Sequence, residues 1–221
     1  MRINKYLAAG TKLSRRAADT AIANGRVRIN DQLASLGSDV AESDSVTLDG
    51  VPVVARPTSQ TIVLNKPVGY VCSRAGQGSK TIYELLPNEL WHLKPVGRLD
   101  KDSSGLLVMT DDGGLANKLT HPSNKKAKIY EITLDNELLP QDFERITKQG
   151  IKLEDGLSKL GLNNINDDSF KWQVTMHEGR NRQIRRTFEQ LGYKVLTLHR
   201  TEFGPYKLKH LTTGEYQILV D

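Results

Sequence analysis

The chain has 221 residues, 38% of them hydrophobic and 26% charged, with a formal net charge of +5. No apolar run approaches the roughly 20 residues of a membrane span. MRINKYLAAG lacks a secretory apolar core, and the single Cys72 excludes an internal disulfide and a cysteine-based zinc site. A cytoplasmic protein of one large domain or two unequal ones is expected, and a monomer, since no oligomerisation stripe is visible. The basic excess is unevenly spread. Residues 1–30 carry seven Lys/Arg against one Asp, residues 31–56 one against five acids, and residues 177–200 six against two. Two separated basic clusters suit a polyanion gripped at two points, or else two solvated faces.

In chain order, Ile3 and Leu7 are four apart and predict a short helix that Gly10 can end. Ser14 is a good N-cap for a second helix with Ala17, Ala18, Ala21 and Ile22 on its apolar side. Gly25 closes that helix, and Arg26 to Ile29 alternates as a strand. Asn30-Asp31 reads as a turn, and Ser45 to Leu48 as a strand ended by Asp49-Gly50. Arg15 and Arg16 fall in the first turn of the second helix, where cations oppose the macrodipole. A phosphate at the helix start would reverse that sign, because free N–H groups and both guanidinium groups would face it. The plain alternative is two solvated arginines that tolerate the penalty. Residues 56–60 read as a linker, which gives domains at 1–55 and 61–221.

Beyond the linker, Ile62-Val63-Leu64 predicts a short strand before Asn65-Lys66-Pro67-Val68-Gly69-Tyr70. Leu106 to Thr110 is nearly all apolar and reads as a central strand, broken by Asp111-Asp112-Gly113-Gly114. Leu115 to Leu119 can be helical. Lys128 to Leu134 alternates with Tyr130, Ile132 and Leu134 on one face, and Trp172 to Met176 is another strand. Ile184, Phe188 and Leu191 mark a helix that Gly192 can end, and Lys194 to Leu198 returns as a strand. Strands and helices mix without regular βαβ alternation, so the class is α+β.

The chain has no Gly-rich phosphate loop, its five histidines lack metal-ligand spacing, and no nucleophile elbow occurs. Chemistry by side chains alone, without metal or nucleotide cofactor, is what remains. In GRLDKDSSG, residues 97–105, Asp100 precedes a turn into the apolar strand. It is either a turn cap or a partly buried carboxylate that an arginine could hold ionised for nucleophilic work. Tyr130 is either a core residue or a stacking surface. Arg185 is either one half of an exposed helical pair with Glu189 or a partner for a carboxylate.

Motif order adds to these readings. RINKYLAAGTKLSRRAADTAIANGRVRIN resembles the S4 RNA-binding domain. That resemblance implies a small α-L fold on structured RNA, with Lys5, Arg15, Arg16, Arg26 and Arg28 as RNA contacts. LNKPVGYVCS, VGRLDKDSSGLLVMTDDGGLANKLTHPSNKKAKIYEITL and EGRNRQIRRTFEQLGYKVLTLHRTEFGP resemble, in order, three motifs of RsuA-type pseudouridine synthases, which modify ribosomal RNA. The resemblance implies a mixed, mostly antiparallel sheet flanked by helices behind the S4 domain. It makes Asp100 the catalytic aspartate and Tyr130 the residue packed on the target base. It pairs Arg185 with the aspartate, with Arg182 or Arg186 as alternates. It has Arg98 fill the gap left by a flipped nucleotide, and it sets Lys66 with Arg98 among the RNA-binding residues of the cleft. Asp102 is then a turn residue. The implied reaction is uridine to pseudouridine, with no cofactor and no metal. The implied partner is ribosomal RNA or an assembling ribosomal subunit. GIKLEDG and Leu-Ala-Asn-Lys-Leu lean towards large-subunit (23S) over small-subunit (16S) RNA. The rival is a non-catalytic rRNA-binding or ribosome-assembly factor. A hydrolase using Asp100 and Asp102 as a pair is disfavoured, since two carboxylates in one turn do not set a glycosidase separation.

Overall fold

The structure is a computed structural model that describes residues 1–11, 13–54 and 59–219. The chain divides into two compact units, Met1–Ser59 and Gln60–Asp221. The expected linker at 56–60 falls mostly on residues outside the described set.

The first unit holds helices α1 (Ile3–Gly10) and α2 (Arg15–Ala23) and strands β1 (Val27–Ile29), β2 (Gln32–Leu33), β3 (Val46–Leu48) and β4 (Val51–Pro52). The strands form one antiparallel sheet in the order β2-β1-β3-β4. Ser14 caps α2 as its side-chain chemistry predicts, its Oγ accepting from Ala17 N at 3.1 Å. Asn30, Asp31, Asp49 and Gly50 all take positive φ, so both expected turns are tight ones joining paired strands. Ile3, Leu7, Ala18, Ala21, Ile22, Val27, Val40, Val46 and Val53 form the core. Each larger aliphatic side chain there contributes about 1.5–3 kcal/mol on burial. Gly10 does more than end α1. A Cβ at that position would lie 2.6 Å from Val53 Cγ1 and 2.8 Å from the Val54 carbonyl oxygen, so the absent side chain lets the strand end approach the helix.

The second unit is built on one large sheet. Its elements are β5 (Thr61–Lys66), β6 (Lys94–Pro95), β7 (Ser104–Thr110), α3 (Gly113–Thr120), β8 (Lys128–Leu134), α4 (Pro140–Glu144), β9 (Ile151–Leu153), β10 (Gly156–Ser158), β11 (Gly161–Ile165), β12 (Asp168–Met176), α5 (Gln183–Glu189), β13 (Val195–Phe203), β14 (Tyr206–Lys207) and β15 (Tyr216–Leu219). The strand order is β11-β12-β8-β13-β7-β5-β15, with β14 on β13 and β6 on β7, while β9 and β10 pair as a separate hairpin. The pairings are antiparallel except for β13 with β7. This is the mixed, mostly antiparallel sheet of an α+β fold.

Both faces of the sheet are covered. Ile62, Leu64, Leu107, Met109, Ile132, Leu134 and Val174 pack on one side with Ile184 and Phe188 of α5. Val63, Leu106, Val108 and Phe203 pack on the other with Leu119 of α3. Strands β5 and β7 are therefore buried on both faces, which is why their sequences run apolar rather than alternating. The parallel seam between β7 and β13 needs a glycine. Gly105 has φ +102, and a Cβ there would overlap the Arg200 carbonyl oxygen and lie 2.6 Å from the Arg200 nitrogen.

Two strands run well past their predicted lengths. β13 runs on to Phe203 and β12 starts at Asp168, because cross-strand pairing with β8 and β11 sustains polar residues the pattern alone leaves out. The hairpin β9–β10 and the strand β15 were not foreseen.

Candidate active site

A cleft of about 510 Å³ opens over the second unit's sheet, with Arg98, Asp100, Tyr130, Arg182 and Arg185 among its lining residues. The turn that carries Asp100 leads into β7. Leu99, 5% exposed, anchors it in the core, with its N–H and carbonyl both 3.4 Å from Cys72 Sγ. Ser103 N donates to the Asp100 carbonyl at 3.1 Å and closes the turn, and Gly69 N donates to the Lys101 carbonyl at 2.7 Å.

Lys66 clamps this turn from beneath. Its side chain is fully buried, and its Nζ donates to the carbonyls of Pro67 at 3.0 Å, Asp100 at 3.0 Å and Ser103 at 2.6 Å. Burial pulls its pKa below the ordinary lysine value. This corrects the expectation that Lys66 contacts RNA in the cleft: all three ammonium donors are used on backbone oxygens, and no surface of it faces solvent. The lysine holds the backbone of the Asp100 turn, and the carboxylate is left to project from it.

The carboxylates of this turn meet the start of α5. Arg182 caps that helix in a left-handed conformation, φ +46. Its Nη1 lies 3.0 and 3.1 Å from the two Asp102 oxygens and 3.7 Å from Asp100 Oδ2. Arg185 goes elsewhere than expected. Its Nη1 donates to the Val195 carbonyl at 2.6 Å and its Nη2 to the Asp102 carbonyl at 2.8 Å. Its Nε stands 3.3 Å from Asp102 Oδ2. Burial lowers the Arg185 pKa, and Asp102 opposes that shift. The guanidinium beside Asp100 is thus Arg182, one of the two alternates, and Arg185 serves Asp102. The physical reason is reach. Arg185 is one turn inside α5, where two backbone carbonyls take its terminal nitrogens, whereas Arg182 stands at the helix start facing the turn. Asp102 is accordingly more than a turn residue. Arg186, the other alternate, pairs with Asp155 at 2.7 Å.

A polar network supports the helix start. Arg180 reaches Asp155 at 3.0 Å, the Leu157 carbonyl at 2.9 Å and Glu178 at 3.0 Å. Gln183 donates to Ser158 Oγ at 3.1 Å, and Ser158 shares a 2.8 Å bond with Thr187. Asp155 and Ser158 lie on the unforeseen hairpin. The Asp155-Gly156 pair between apolar residues was a readable hairpin signal for it.

Tyr130, 7% exposed, sits on β8 between Val174 and Arg200. Arg98 is exposed at the cleft and has no side-chain partner among the described residues. Arg200 was not singled out by the sequence. It is 1% exposed and lines the same cleft. In the first unit, Lys5, Arg15 and Arg16 are exposed, and only Arg15 of the three has a side-chain contact among the described residues, 3.4 Å to Asn4. Arg26 is held by both oxygens of Asp49, and Arg28 donates to the Asp31 carbonyl at 2.6 Å.

A family model described as RNA pseudouridylate synthase matches residues 60–190. The chain belongs to that family. The S4 domain model matches residues 1–46, so the family's catalytic fold here follows an S4 domain. An RNA pseudouridine synthase of Aquifex aeolicus is 38% identical over 99% of this chain and 90% of its own length. Ribosomal large subunit pseudouridine synthase B of Bacillus subtilis is 36% identical over 97% of the chain and 90% of that protein. The dual-specificity RNA pseudouridine synthase RluF of Escherichia coli is 33% identical over the whole chain and 76% of that protein. A crystal structure of a pseudouridylate synthase superposes with a TM-score of 0.70 at 30% identity, covering all of this chain and 96% of the other. No described helix is long and apolar enough to cross a membrane, and no group of potential metal ligands occurs among the described residues.

Proposed function

We propose that this synthase converts a uridine of ribosomal RNA, in the large subunit rather than the small, to pseudouridine, with Asp100 as its catalytic group. The observation that carries the reading is the Asp100 carboxylate in the cleft, 3.7 Å from the Arg182 guanidinium, with Tyr130 on the wall of the same cleft. The large-subunit preference draws on the name of the Bacillus subtilis relative. In the reaction the N1–C1′ bond breaks, the uracil turns, and C5 bonds to C1′ as its hydrogen leaves as a proton. The product is an isomer, so no cofactor is consumed. Asp100 either attacks C1′ or takes a ribose proton.

The target must leave its helix, at a cost of a few kcal/mol. Stacking on Tyr130 recovers about 1–3 kcal/mol of that, and the exposed Arg98 occupies the space vacated. Arg182 replaces Arg185 in our assignment of the cation that faces Asp100. Residues 1–55 serve as the RNA-gripping module through Lys5, Arg15 and Arg16, with Arg26 and Arg28 in supporting contact, and residues 61–221 perform the chemistry. A monomeric, cytoplasmic enzyme completes the proposal.

The test is Asp100→Asn on 5-tritiated rRNA from cells lacking the enzyme. Tritium release falls by about 10³-fold or more, the scale of a lost catalytic group, while RNA affinity stays near that of the unaltered protein. Appreciable turnover by the variant refutes the assignment. Release by neither protein favours a non-catalytic rRNA-binding factor.

A further inference from the structure

Among the described residues, Arg200 is a cation with no ion-pair partner. It lies on β13 at the cleft, 1% exposed. Its Nε donates to the Leu106 carbonyl at 2.7 Å. Among the described residues its Nη2 is buried and has no hydrogen-bond partner. Cations lie close to it: burial lowers the Lys128 pKa and the Arg200 charge lowers it further, while at Lys66 burial dominates and the Arg200 charge is the smallest influence, behind the opposing Cys72, Asp100 and Asp102. The Phe203 and Tyr130 rings lie 5.0 and 5.9 Å from its guanidinium carbon. Aromatic faces recover only part of what a buried, unpaired charge loses from water. A second buried donor, Ser103 Oγ, lines the same cleft and also lacks a partner.

The location of Arg200 narrows what could answer it. A phosphate is tetrahedral and heavily hydrated, and Arg98 and Lys126 are better placed to meet one from more open parts of the cleft. Arg200 is enclosed and walled by two rings, which suits a planar base. Its backbone is held by the seam with Gly105, so its charge is fixed before substrate arrives, the condition under which a donor stabilises charge that develops during a reaction.

We propose that Arg200 is a catalytic residue that stabilises the uracil once it is detached from the ribose. This rests on the pseudouridine reading above. When the N1–C1′ bond breaks, its electron pair stays with the base and spreads from N1 to O2 and O4. C1′ passes to an Asp100 oxygen, or a ribose proton passes to that oxygen instead. Arg200 donates to a carbonyl oxygen of the uracil anion, with Ser103 Oγ free to donate as well. The ring turns without leaving the cleft. The pair then forms the C5–C1′ bond as the Asp100 oxygen leaves C1′, or as that oxygen returns its proton to the ribose; C5 loses its proton, and N1 regains one.

The experiment compares rRNA transcribed in vitro with uridine and with 5-fluorouridine, whose base is the better leaving group and needs less stabilisation. Single-turnover consumption of the N-linked nucleoside is read by nuclease digestion. Arg200→Met slows the uridine reaction by about 100-fold, the scale of a lost oxyanion donor, and the fluorouridine reaction by less than about tenfold. Arg200→Lys falls between, and RNA affinity is unchanged. Equal losses on both substrates overturn the proposal in favour of a purely structural role. A loss confined to RNA affinity, with a shallower salt dependence, overturns it in favour of a phosphate contact. Thermal melting checks folding, and Arg200→Gln replaces the methionine variant if that one is unfolded. The unaltered protein is run alongside: its failure on both RNAs overturns the pseudouridine reading itself, and this proposal with it.

Discussion

The two units differ in that only the second buries basic residues among those described. In the first, Lys5, Arg15 and Arg16 stand in solvent, and Arg26 is matched by the equally exposed Asp49. In the second, Lys66 and Arg200 are buried outright, and Arg185 keeps only 12% of its side-chain surface. Exposed cations are cheap to maintain, are screened by salt, and hold an RNA backbone without fixing where any atom goes. Buried cations are costly and cannot be moved, so they fix geometry. On the proposed function, the same residue types supply affinity in one unit and position in the other.

The sharpest way to break this comparison is Asp100→Asn, because the second unit's fixed charges have a purpose only if that carboxylate reacts. Loss of turnover with retained RNA affinity separates position from affinity in one measurement. Next is Lys66→Met, which takes a donor from the carbonyls of Pro67, Asp100 and Ser103, of which only Asp100's keeps a second one among the described residues, from Ser103 N. The variant loses about 3 kcal/mol of stability by denaturant titration, from unsatisfied buried acceptors. Its folded fraction binds RNA as tightly as before, and a drop in RNA affinity would instead restore Lys66 to the cleft.

In the first unit, Arg15→Ala with Arg16→Ala leaves the melting temperature nearly unchanged. It reduces the slope of log affinity against log salt by about one unit per lost phosphate contact. An unaltered slope would leave these arginines as ordinary solvated side chains. The smallest effect is at His199, whose Nδ1 is 2.9 Å from Ser104 Oγ. Burial depresses its pKa below the ordinary value of 6.5, with Glu131 opposing. Between the folded-state pKa and 6.5 the unfolded chain binds more protons, so His199 contributes stability above that window and loses it as pH falls through it. His199→Gln flattens this acid-side decline in melting temperature, and an unchanged profile would count against the depressed pKa.

Much of the fold was readable because local signals agreed with one another. Ser14, the Ala18–Ile22 stripe and Gly25 define α2 by cap, period and stop. The buried alternation Tyr130-Ile132-Leu134 defines β8. β15 was not readable, since Tyr216 to Leu219 becomes a strand only by pairing with β5 at the far end of the unit's sequence. At the site, motif order singled out Asp100 and Tyr130. It could not assign Arg182, because a left-handed arginine ahead of a helix has no residue-type signal. Nor could it bury Lys66, since lysine is a surface residue unless something like its cage of three carbonyls exists.

The close approach of Gly105 to Arg200 also acts as a ruler for the cleft. Neighbouring side chains on a strand face opposite ways, so a slip of one position along that seam would withdraw the guanidinium and offer the imidazole of His199 or the hydroxyl of Thr201 in its place. The missing methyl group of one glycine, five residues past Asp100 in the chain, therefore decides which chemical group this strand presents to the cleft.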